Sequence, residues 1–369
     1  MGTQNLYRKE LADLKKYVPG KPVEDVKREY GLDEIIKLAS NENPLGPSPK
    51  AIEAIREEAA NIHIYPDGNA KNLKDELSKK YNLKPENFLL GNGGEEVIKM
   101  IAQSLINEGD EAIMASPSFS LYEICVNHMG GKSIKIPLKD NFEHDFEGFV
   151  DAITPKTKII FVCNPNNPTG NIMPKERIDW LLANVPDHVV VMLDEAYYEY
   201  AIRNADYPES LDILEKRPNT IILRTLSKVA GLAGIRVGYA ISNEEMVGEM
   251  TKVKGVFNVN RLAQVAAIAA LNDDDHIVKT VDLNYDSLQK IIDFCDARGL
   301  GYVPSNANFI FMDTESDSKV VFEKLLQRGL IMRPGFLWGY ASWARVSSGN
   351  LEETEKFLVG LGQVLDEMK

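Results

Sequence analysis

The sequence predicts an α/β fold with a doubly wound, mostly parallel sheet in a large domain and a second, smaller α+β domain. Two observations support this prediction. Between residues 86 and 242, short apolar runs alternate with helical patterns, as expected for strands that are covered on both faces. After about residue 260 the order changes to long helices and fewer strands. We therefore expect a large domain over residues 46–260, and a second unit formed by an N-terminal arm, residues 1–45, together with residues 261–369.

The individual elements follow this division. Residues 1–50 begin with a helix-like pattern and continue as irregular chain rich in proline and glycine, which tends to run along a surface or cleft. In the large domain we expect helices at residues 51–60, 95–107, 120–128 and 175–183, and strands at 88–90, 111–115, 133–137, 159–163, 189–193, 221–224 and 237–241. In the second unit we expect helices at 262–271, 277–298 and 352–368, and strands at 307–312, 330–333 and 344–347. Asn350 and Glu353 have the spacing of an N-terminal cap for the last helix.

Composition and charge argue against several classes of function. The 369 residues include 42 Lys and Arg against 55 Asp and Glu, a net charge of −13, which argues against nucleic acid or an anionic membrane as the main partner. Three cysteines without CxxC spacing and five scattered histidines favour neither a disulfide framework nor a metal site. The N-terminus has no apolar signal-peptide core, and no apolar run approaches the roughly 18 residues of a membrane span. We therefore expect a cytoplasmic protein that acts on small molecules.

Two loops that follow strands carry turn-forming residues. Ligands of doubly wound sheets bind beyond the carboxyl ends of the strands, so these loops are candidate sites. Residues 91–96 read GNGGEE and lead into a helix, whose free N–H groups suit a phosphate, although a structural turn explains this motif equally well when it is taken alone. Residues 164–170 read NPNNPTG and form either a plain turn or a loop that presents an asparagine amide.

Two further strands are followed by ionisable side chains. Asp194 comes directly after a buried apolar run, where a carboxylate is costly without a positive partner. Lys228 follows another such run, with Thr225, Ser227 and Arg236 nearby, and a solvated loop lysine is the alternative if this motif is taken alone. A phosphate cradle, an amide, a buried acid and a lysine are together what one cofactor, pyridoxal phosphate, requires.

These motifs also resemble a known family. The strings NENPLGPSP, YPDG, GNGGEE, NPNNPTG, DEAY, TLSK, GLAGIRVGY, PSNANFIF, IMRPG and WARVSSG are similar to those of class I/II (fold type I) pyridoxal-phosphate aminotransferases. The similarity extends from about Tyr17 to Gly349 and is greatest to the histidinol-phosphate aminotransferase family. It implies a homodimer that binds pyridoxal 5'-phosphate and small-molecule substrates.

The resemblance implies roles for residues around the cofactor. Lys228 would form an imine with the cofactor and shuttle protons, and Asp194 would pair with the pyridine nitrogen. Asn167 and Tyr197 would hydrogen-bond the ring oxygen, which makes Lys228, Asp194 and Tyr197 the catalytic set. The cofactor phosphate would be held by Gly94, Glu95 (through its backbone N–H), Thr225, Ser227 and Arg236.

Two aromatic residues complete the implied cofactor site. Phe119 would stack on the cofactor ring at a position where the family often has Tyr, since stacking needs only an aromatic face. Tyr65 would reach the cofactor phosphate of the neighbouring subunit. Each site would therefore be composed of residues from both subunits.

The resemblance also implies a substrate site. Arg345 would grip the substrate α-carboxylate, because a planar guanidinium matches a carboxylate through two hydrogen bonds. Arg333 would help to bind the phosphate of histidinol phosphate, and Tyr17 and Asn43 would line the cleft. Ordinary surface arginines are the alternative interpretation of Arg333 and Arg345.

The implied activity is the exchange of an amino group between glutamate/2-oxoglutarate and histidinol phosphate/imidazole-acetol phosphate, a step of histidine biosynthesis. Two features depart from the family pattern. Gly94–Glu95 stands where relatives commonly have Ser-Asp or Ala-Asp, and Trp338, Tyr340 and Trp343 make the stretch before Arg345 rich in aromatic residues. These aromatics would either favour aromatic substrates or pack within the small domain. An aromatic-amino-acid aminotransferase is therefore the main alternative, ahead of a threonine-phosphate decarboxylase-like enzyme and a non-catalytic cofactor-binding regulator.

Overall fold

The computed structural model describes residues 6–11, 14 and 21–369. Its helices are α1 (Val23–Tyr30), α2 (Pro49–Glu58), α3 (Lys71–Tyr81), α4 (Gly94–Leu105), α5 (Leu121–His128), α6 (Phe146–Asp151), α7 (Lys175–Asn184), α8 (Tyr198–Ala201), α9 (Leu211–Lys216), α10 (Glu244–Thr251), α11 (Arg261–Leu271), α12 (Asp274–Arg298), α13 (Ser318–Leu326) and α14 (Leu351–Glu367). Its strands are β1 (Ile36–Lys37), β2 (Phe88–Gly91), β3 (Glu111–Ser116), β4 (Lys132–Pro137), β5 (Thr157–Cys163), β6 (Val190–Asp194), β7 (Thr220–Thr225), β8 (Gly238–Ile241), β9 (Tyr302–Val303), β10 (Phe309–Asp313), β11 (Leu330–Ile331), β12 (Arg333–Pro334) and β13 (Trp343–Ser347).

A seven-stranded sheet with the order β2-β8-β7-β6-β5-β3-β4 forms the large core. Strands β3 to β7 pair in parallel, whereas β8 pairs antiparallel with both β7 and β2. Strand β8 runs antiparallel to β7 because no crossover helix lies between them. Two neighbouring parallel strands need such a crossover. The expected strands of this sheet are all present, and the prediction of a mostly parallel sheet is confirmed.

Helices cover both faces of this sheet, as the doubly wound prediction requires. Helices α4, α5 and α10 pack on one face, where Val97, Ile101 and Met250 meet side chains of the strands. Helices α2, α3 and α11 cover one part of the opposite face, and α6, α7 and α9 cover the rest. Because both faces are covered, β5 and β6 are apolar almost throughout and buried.

A second sheet has the order β12-β13-β10-β9 and is antiparallel. Helices α12, α13 and α14 pack on it through a separate apolar core. Helix α14 begins with the expected cap, since the Asn350 side chain accepts a hydrogen bond from the Glu353 N–H at 2.9 Å and the Asn350 N–H donates one to the Glu353 carboxylate at 3.0 Å.

One expected strand is wrong. The run at residues 330–333 forms two short strands in different sheets, because β11 pairs in parallel with β1 of the N-terminal segment whereas β12 pairs with β13. The sequence analysis also missed several helices with few apolar residues. In α3, for example, Leu73 and Leu77 are the only buried residues.

The structure contains no helix, within the residues it describes, with the length and apolar character needed to cross a membrane. Those residues also form no group of three or more His, Cys, Asp and Glu side chains that could hold a metal ion.

Candidate active site

Asp194 lies at the centre of the carboxyl edge of the large sheet, as the last residue of β6. Its side chain is 2% exposed and accepts hydrogen bonds from the Tyr122 hydroxyl at 2.5 Å and from the Ala196 N–H at 3.0 Å. Burial raises the pKa of the Asp194 carboxyl to about 6, although both hydrogen bonds favour the charged form. A buried carboxylate of this kind is suited to a positively charged ligand atom.

Tyr122 is a site residue that the sequence analysis missed. It lies on α5, fully buried, and its ring stacks on Phe161 of β5 with the ring centroids 4.7 Å apart. Phe119 packs edge-on against Tyr122 at 5.7 Å, which places Phe119 next to the Asp194 partner. The available signal was a tyrosine that shares the apolar face of α5 with Cys125 and Val126, because a buried hydroxyl needs a hydrogen-bond partner.

The start of α4 forms a close-fitting cradle with Arg236. Gly93, the residue before α4, has φ +81°, and a Cβ atom there would lie 2.3 Å from the Arg236 Nη2. A Cβ atom on Gly238 would lie 2.7 Å from the Gly94 backbone nitrogen. Only glycine therefore lets the free N–H groups of this helix end approach the guanidinium so closely.

Two hydroxyl groups lie where β7 ends, on its last residue, Thr225, and on Ser227 just after it. The Thr225 hydroxyl donates to the Ser227 Oγ at 3.0 Å, and both residues are buried. The Glu95 side chain pairs with Lys99 at 2.6 Å, which leaves the Glu95 backbone as its contribution to the helix end. Backbone N–H groups, two hydroxyls and a guanidinium are a donor set that suits a phosphate.

Lys228 lies in the segment after β7, directly after Ser227. Its Nζ donates to the Ser40 carbonyl at 3.3 Å and lies 5.8 Å from the centre of the Tyr197 ring. Burial, and then the nearby charge of Arg345, lower the pKa of the Lys228 ammonium to about 8. A lysine with a lowered pKa can act as a nucleophile or base near neutral pH.

Tyr197 connects the two sheets to the N-terminal segment. Its hydroxyl accepts a hydrogen bond from the Asn41 amide at 2.9 Å and a longer one from the Asn167 amide at 3.4 Å. Burial raises the pKa of the Tyr197 hydroxyl, so the hydroxyl keeps its proton and can donate it to a ligand. Asn41 was missed by the sequence analysis. It is held by Ser347 of β13, whose hydroxyl donates to the Asn41 side-chain oxygen at 2.7 Å.

Arg345 faces this network from β13. Its Nη1 donates to the Asn167 side-chain oxygen at 2.6 Å, and its Nη2 donates to the Ala39 carbonyl at 2.7 Å. The guanidinium also lies over the rings of Phe309 and Trp338, at 5.2 and 5.5 Å. These contacts fix the orientation of the guanidinium plane.

Arg333 lies directly opposite Arg345 in the antiparallel pairing of β12 with β13. Side chains at opposed positions point to the same face of a sheet, with Cβ atoms about 5 Å apart. Two like charges in this relation repel each other, and a bound anion between them relieves that repulsion.

The chain matches the family model "Aminotransferase class I and II" over residues 33–361. It is 47% identical to the histidinol-phosphate aminotransferase of Moorella thermoacetica over 359 residues, which cover 97% of this chain and 92% of that protein. The identity to the histidinol-phosphate aminotransferase of Caldicellulosiruptor saccharolyticus is 44%, with 98% and 100% covered.

This chain belongs to the class I and II aminotransferase family.

A solved structure of the family has the same fold over nearly the whole chain. Histidinol-phosphate aminotransferase from Sinorhizobium meliloti, in complex with pyridoxal-5'-phosphate, superposes with a TM-score of 0.90, covers 98% of both chains and is 28% identical. An aspartate aminotransferase double mutant from Thermus thermophilus, 24% identical, covers 97% of this chain and 99% of its own with a TM-score of 0.83. The fold type I prediction is thereby confirmed.

The family resemblance gave a role to three further residues, Tyr65, Asn43 and Tyr17. The ring of Tyr65 is 75% exposed and stacks on Phe257 at 4.6 Å. The Asn43 amide donates to the Val229 carbonyl at 2.8 Å and to the Thr280 hydroxyl at 3.1 Å. Asn43 thus holds the backbone next to Lys228. Tyr17 lies outside the described residues.

The aromatic stretch before Arg345 divides into two parts in this aminotransferase. Trp343 packs on Phe311 at 4.9 Å and on Phe142 at 4.8 Å, and Tyr340 joins the same group. Trp338 lies next to the Arg345 guanidinium. Packing therefore accounts for Tyr340 and Trp343, whereas Trp338 remains close to the arginine face.

Proposed function

We propose that this aminotransferase uses pyridoxal 5'-phosphate to exchange an amino group between glutamate/2-oxoglutarate and histidinol phosphate/imidazole-acetol phosphate. The observation that carries the proposal is the opposed pair Arg333 and Arg345, of which Arg345 is near enough to Lys228 to lower the pKa of that lysine. The full-length relatives of this chain at 40–47% identity are named histidinol-phosphate aminotransferases.

The residues at the sheet edge fit pyridoxal phosphate. Their donor set at the start of α4 suits its phosphate, and the glycines there leave the space that a Cβ would fill. The buried Asp194 carboxylate suits a protonated pyridine nitrogen, because pairing with a cation offsets the cost of burying a charge. When bound, this cofactor supplies an electron sink that makes the α-carbon of an amino acid acidic.

We assign the proton transfer to Lys228. Its Nζ would take the proton from the substrate α-carbon as a neutral amine, and a pKa lowered to about 8 makes that form accessible near neutral pH. The Tyr197 hydroxyl and the Asn167 amide would donate hydrogen bonds to the ring oxygen of the cofactor. Asn41 would keep the Tyr197 hydroxyl in place.

The two arginines would solve a recognition problem that this reaction poses. Glutamate carries an α-carboxylate, whereas histidinol phosphate has a phosphate and no carboxylate, so one site must accept both anions in turn. Arg345 is oriented by Asn167 and Ala39 and would bind the carboxylate through two hydrogen bonds. Arg333 would add the second charge that a phosphate needs, since a phosphate carries nearly two negative charges at neutral pH.

Amine transfer from glutamate to imidazole-acetol phosphate, measured beside transfer to phenylpyruvate, tests the proposal. We expect the phosphorylated ketone to have the higher kcat/KM. Trp338 next to Arg345 favours an aromatic-amino-acid aminotransferase as the second candidate. A preference for phenylpyruvate would support that candidate, and carbon dioxide release instead of amine transfer would exclude both.

We further propose that the active form is a homodimer. Tyr65 stacks on Phe257, which is 45% exposed, and the apolar residues Ile62 and Val256, near them in sequence, are 67% and 71% exposed. Apolar patches of this kind commonly mark protein–protein interfaces. Tyr65 would then act on the cofactor phosphate of the neighbouring subunit.

Subunit mixing tests this arrangement. Tyr65→Phe should weaken cofactor retention, and Lys228→Ala should abolish turnover. If Tyr65 acts across the interface, a heterodimer of the two variants contains one site with both native residues, so mixing should restore tight cofactor retention and activity in that site. A fully active monomer, or no gain after verified subunit exchange, would refute action across the interface.

We also propose a cytoplasmic location and a two-part division of the chain, as expected from the sequence. The separate apolar cores of the two sheets support the division. We place the boundary between the two parts at the junction of α11 and α12 instead of near residue 260, because α11 packs with α2 and α3 on the large sheet.

A further inference from the structure

A cavity of about 460 Å³ borders the segment that carries Lys228. Leu226, Val229 and Ala230 of that segment form one wall, and residues of α3, α8, α9, α11 and α12 form the others. None of the residues assigned above to the cofactor or substrate lines this cavity. Its volume lies within the range of small-molecule sites, about 300–1,000 Å³.

The walls of the cavity are mainly apolar. Leu211, Leu271 and Ile277 line it together with the three residues of the Lys228 segment. Apolar walls with a few polar groups are typical of sites that bind small organic molecules.

Glu199 is the acidic side chain of this cavity that forms no close ion pair, although the charges of Arg224 and Lys80 act on it from a greater distance. At the rim, Lys80 and Asp274 approach each other to 3.6 Å. Among the described residues, no side chain donates a hydrogen bond to Glu199 or pairs with it within 4.0 Å. Burial raises the pKa of the Glu199 carboxyl, so a cation bound beside it would be favourable.

The nearest buried cation does not neutralise Glu199. Arg224 is 1% exposed at its side chain and pairs with Glu195, with the Arg224 Nη2 2.8 Å from the Glu195 carboxylate. The guanidinium also lies 3.5 Å from the centre of the Tyr198 ring. Lys80, Arg224, Glu195, Glu199 and Asp274 together carry two positive and three negative charges, so one negative charge is in excess at the cavity.

We propose that this cavity is a second binding site, for a small organic monocation with an apolar body, and that the cationic group pairs with Glu199. The apolar body would contact the wall formed by Leu226, Val229 and Ala230. A ligand here would therefore touch the chain segment that positions Lys228 without entering the candidate active site.

Benzamidine is a suitable probe, because its amidinium is a planar monocation on an aromatic ring. Isothermal titration calorimetry with the cofactor-loaded protein should reveal one binding event per chain. Benzamide, which has the same shape and no charge, should bind roughly tenfold or more weakly, since hydrogen bonds to charged groups are stronger than neutral ones. Succinate, a dicarboxylate for the arginine face, should not compete.

Two variants and one control complete the test. Glu199→Gln keeps the shape of the side chain and should weaken benzamidine binding roughly tenfold or more. Leu211→Trp should reduce it by filling the cavity from a half-buried position. Glu176→Gln removes the same charge from an exposed position on α7 and should leave the affinity unchanged. Melting temperatures of all variants verify that they fold.

Absence of benzamidine binding at millimolar concentration would overturn the proposal. Displacement by succinate would overturn it too, as would binding that both cavity variants leave unchanged. A failure of the proposed transaminase activity would leave these binding measurements unaffected.

Discussion

The candidate active site has two halves that are built differently. The sheet-edge half comprises Asp194, Lys228 and the cradle at the start of α4, all carried by segments that follow strands of one sheet. The arginine half comprises Arg333 and Arg345, which lie on a different sheet. Arg345 is oriented by Ala39 and Asn167, which are 306 and 178 residues away in sequence.

This difference has a functional meaning. Strand order alone brings the sheet-edge groups together, and they would serve chemistry that is common to every substrate. The arginine half depends on long-range docking of three segments and would decide which anion binds. Lesions in the first half should therefore affect all substrates alike, whereas lesions in the second half should discriminate between them.

The largest effect is expected for Lys228→Ala. Loss of the base that moves the α-proton should lower kcat by about 10²–10⁴-fold or more for every amino acid tested. Single-turnover kinetics measure this effect, and circular dichroism should indicate an unchanged fold. Lys252→Ala removes an exposed lysine and serves as the control. Turnover near the wild-type rate in Lys228→Ala would remove Lys228 from the mechanism.

Asp194→Asn should give the next largest effect, again independent of substrate. The substitution keeps the side-chain shape and removes the charge that would pair with the pyridine nitrogen. Loss of one partner of a buried ion pair costs about 3–5 kcal/mol, which corresponds to roughly 150–5,000-fold in kcat/KM. In steady-state measurements, the kcat/KM values for glutamate and for histidinol phosphate should therefore fall by similar factors. The variant should still bind the cofactor, although more weakly.

Tyr122→Phe tests the proposed pairing of Asp194 with the pyridine nitrogen in a second way. It removes one hydrogen bond to Asp194 and keeps the charge, so its effect should be clearly smaller. Equal effects of Tyr122→Phe and Asp194→Asn would argue that hydrogen bonding, and not the charge, is what matters at Asp194.

Arg333→Ala should separate the substrates. Hydrogen bonds to charged groups contribute about 1.5–3 kcal/mol, so kcat/KM for histidinol phosphate should fall roughly 10–150-fold. Phenylalanine should lose much less, because Arg345 alone can hold its carboxylate. Arg328→Ala, which breaks a surface contact to Glu367, is the control. Equal losses for both substrates would place Arg333 among general carboxylate contacts.

His144 lies outside both halves of the site, so its effect is expected on stability at acid pH and not on turnover. Its ring is buried against Phe146 and Phe149, and burial lowers the pKa of its imidazole from 6.5 to about 4. Between pH 6.5 and 4 the unfolded imidazole binds a proton that the folded one does not, so the free energy of unfolding should decrease as the pH falls through this window, by up to about 3 kcal/mol.

Urea unfolding of wild type and His144→Phe at several pH values measures this contribution. The variant should lose the part of the pH dependence that comes from His144. His128→Phe changes a histidine at an exposed position of α5 and should keep the part of the pH dependence that comes from His144. An identical pH dependence in wild type and His144→Phe would mean that the pKa of the His144 imidazole is the same in the folded and unfolded protein.

Local sequence pattern pointed to Asp194 and Lys228, whereas Arg333 and Arg345 were named only through the family resemblance. Asp194 and Lys228 were identifiable because an ionisable residue after an apolar strand is unusual and the carboxyl ends of parallel strands share one edge. Asn41 and Ser347 gave no such signal, since their contact depends on the pairing of β1 with β11, across the whole length of the chain.

Local pattern also failed where tertiary pairing overrides it. The run 330–333 is apolar enough for one strand, but the N-terminal segment pairs with its first half and β13 with its second. Arg333 is directed to the face of Arg345 by that second pairing, which no local feature of the sequence specifies.

The bond between Asn41 and Ser347 has a consequence for synthesis on the ribosome. The two residues are 306 positions apart, and at about 5–20 residues per second the later one is made roughly 15–60 s after the earlier one. For that time the apolar residues Ile36 and Leu38 await the strands of the second core into which they pack. The large sheet can meanwhile fold, so a nascent chain can form the sheet-edge half well before Arg333 and Arg345 are synthesised.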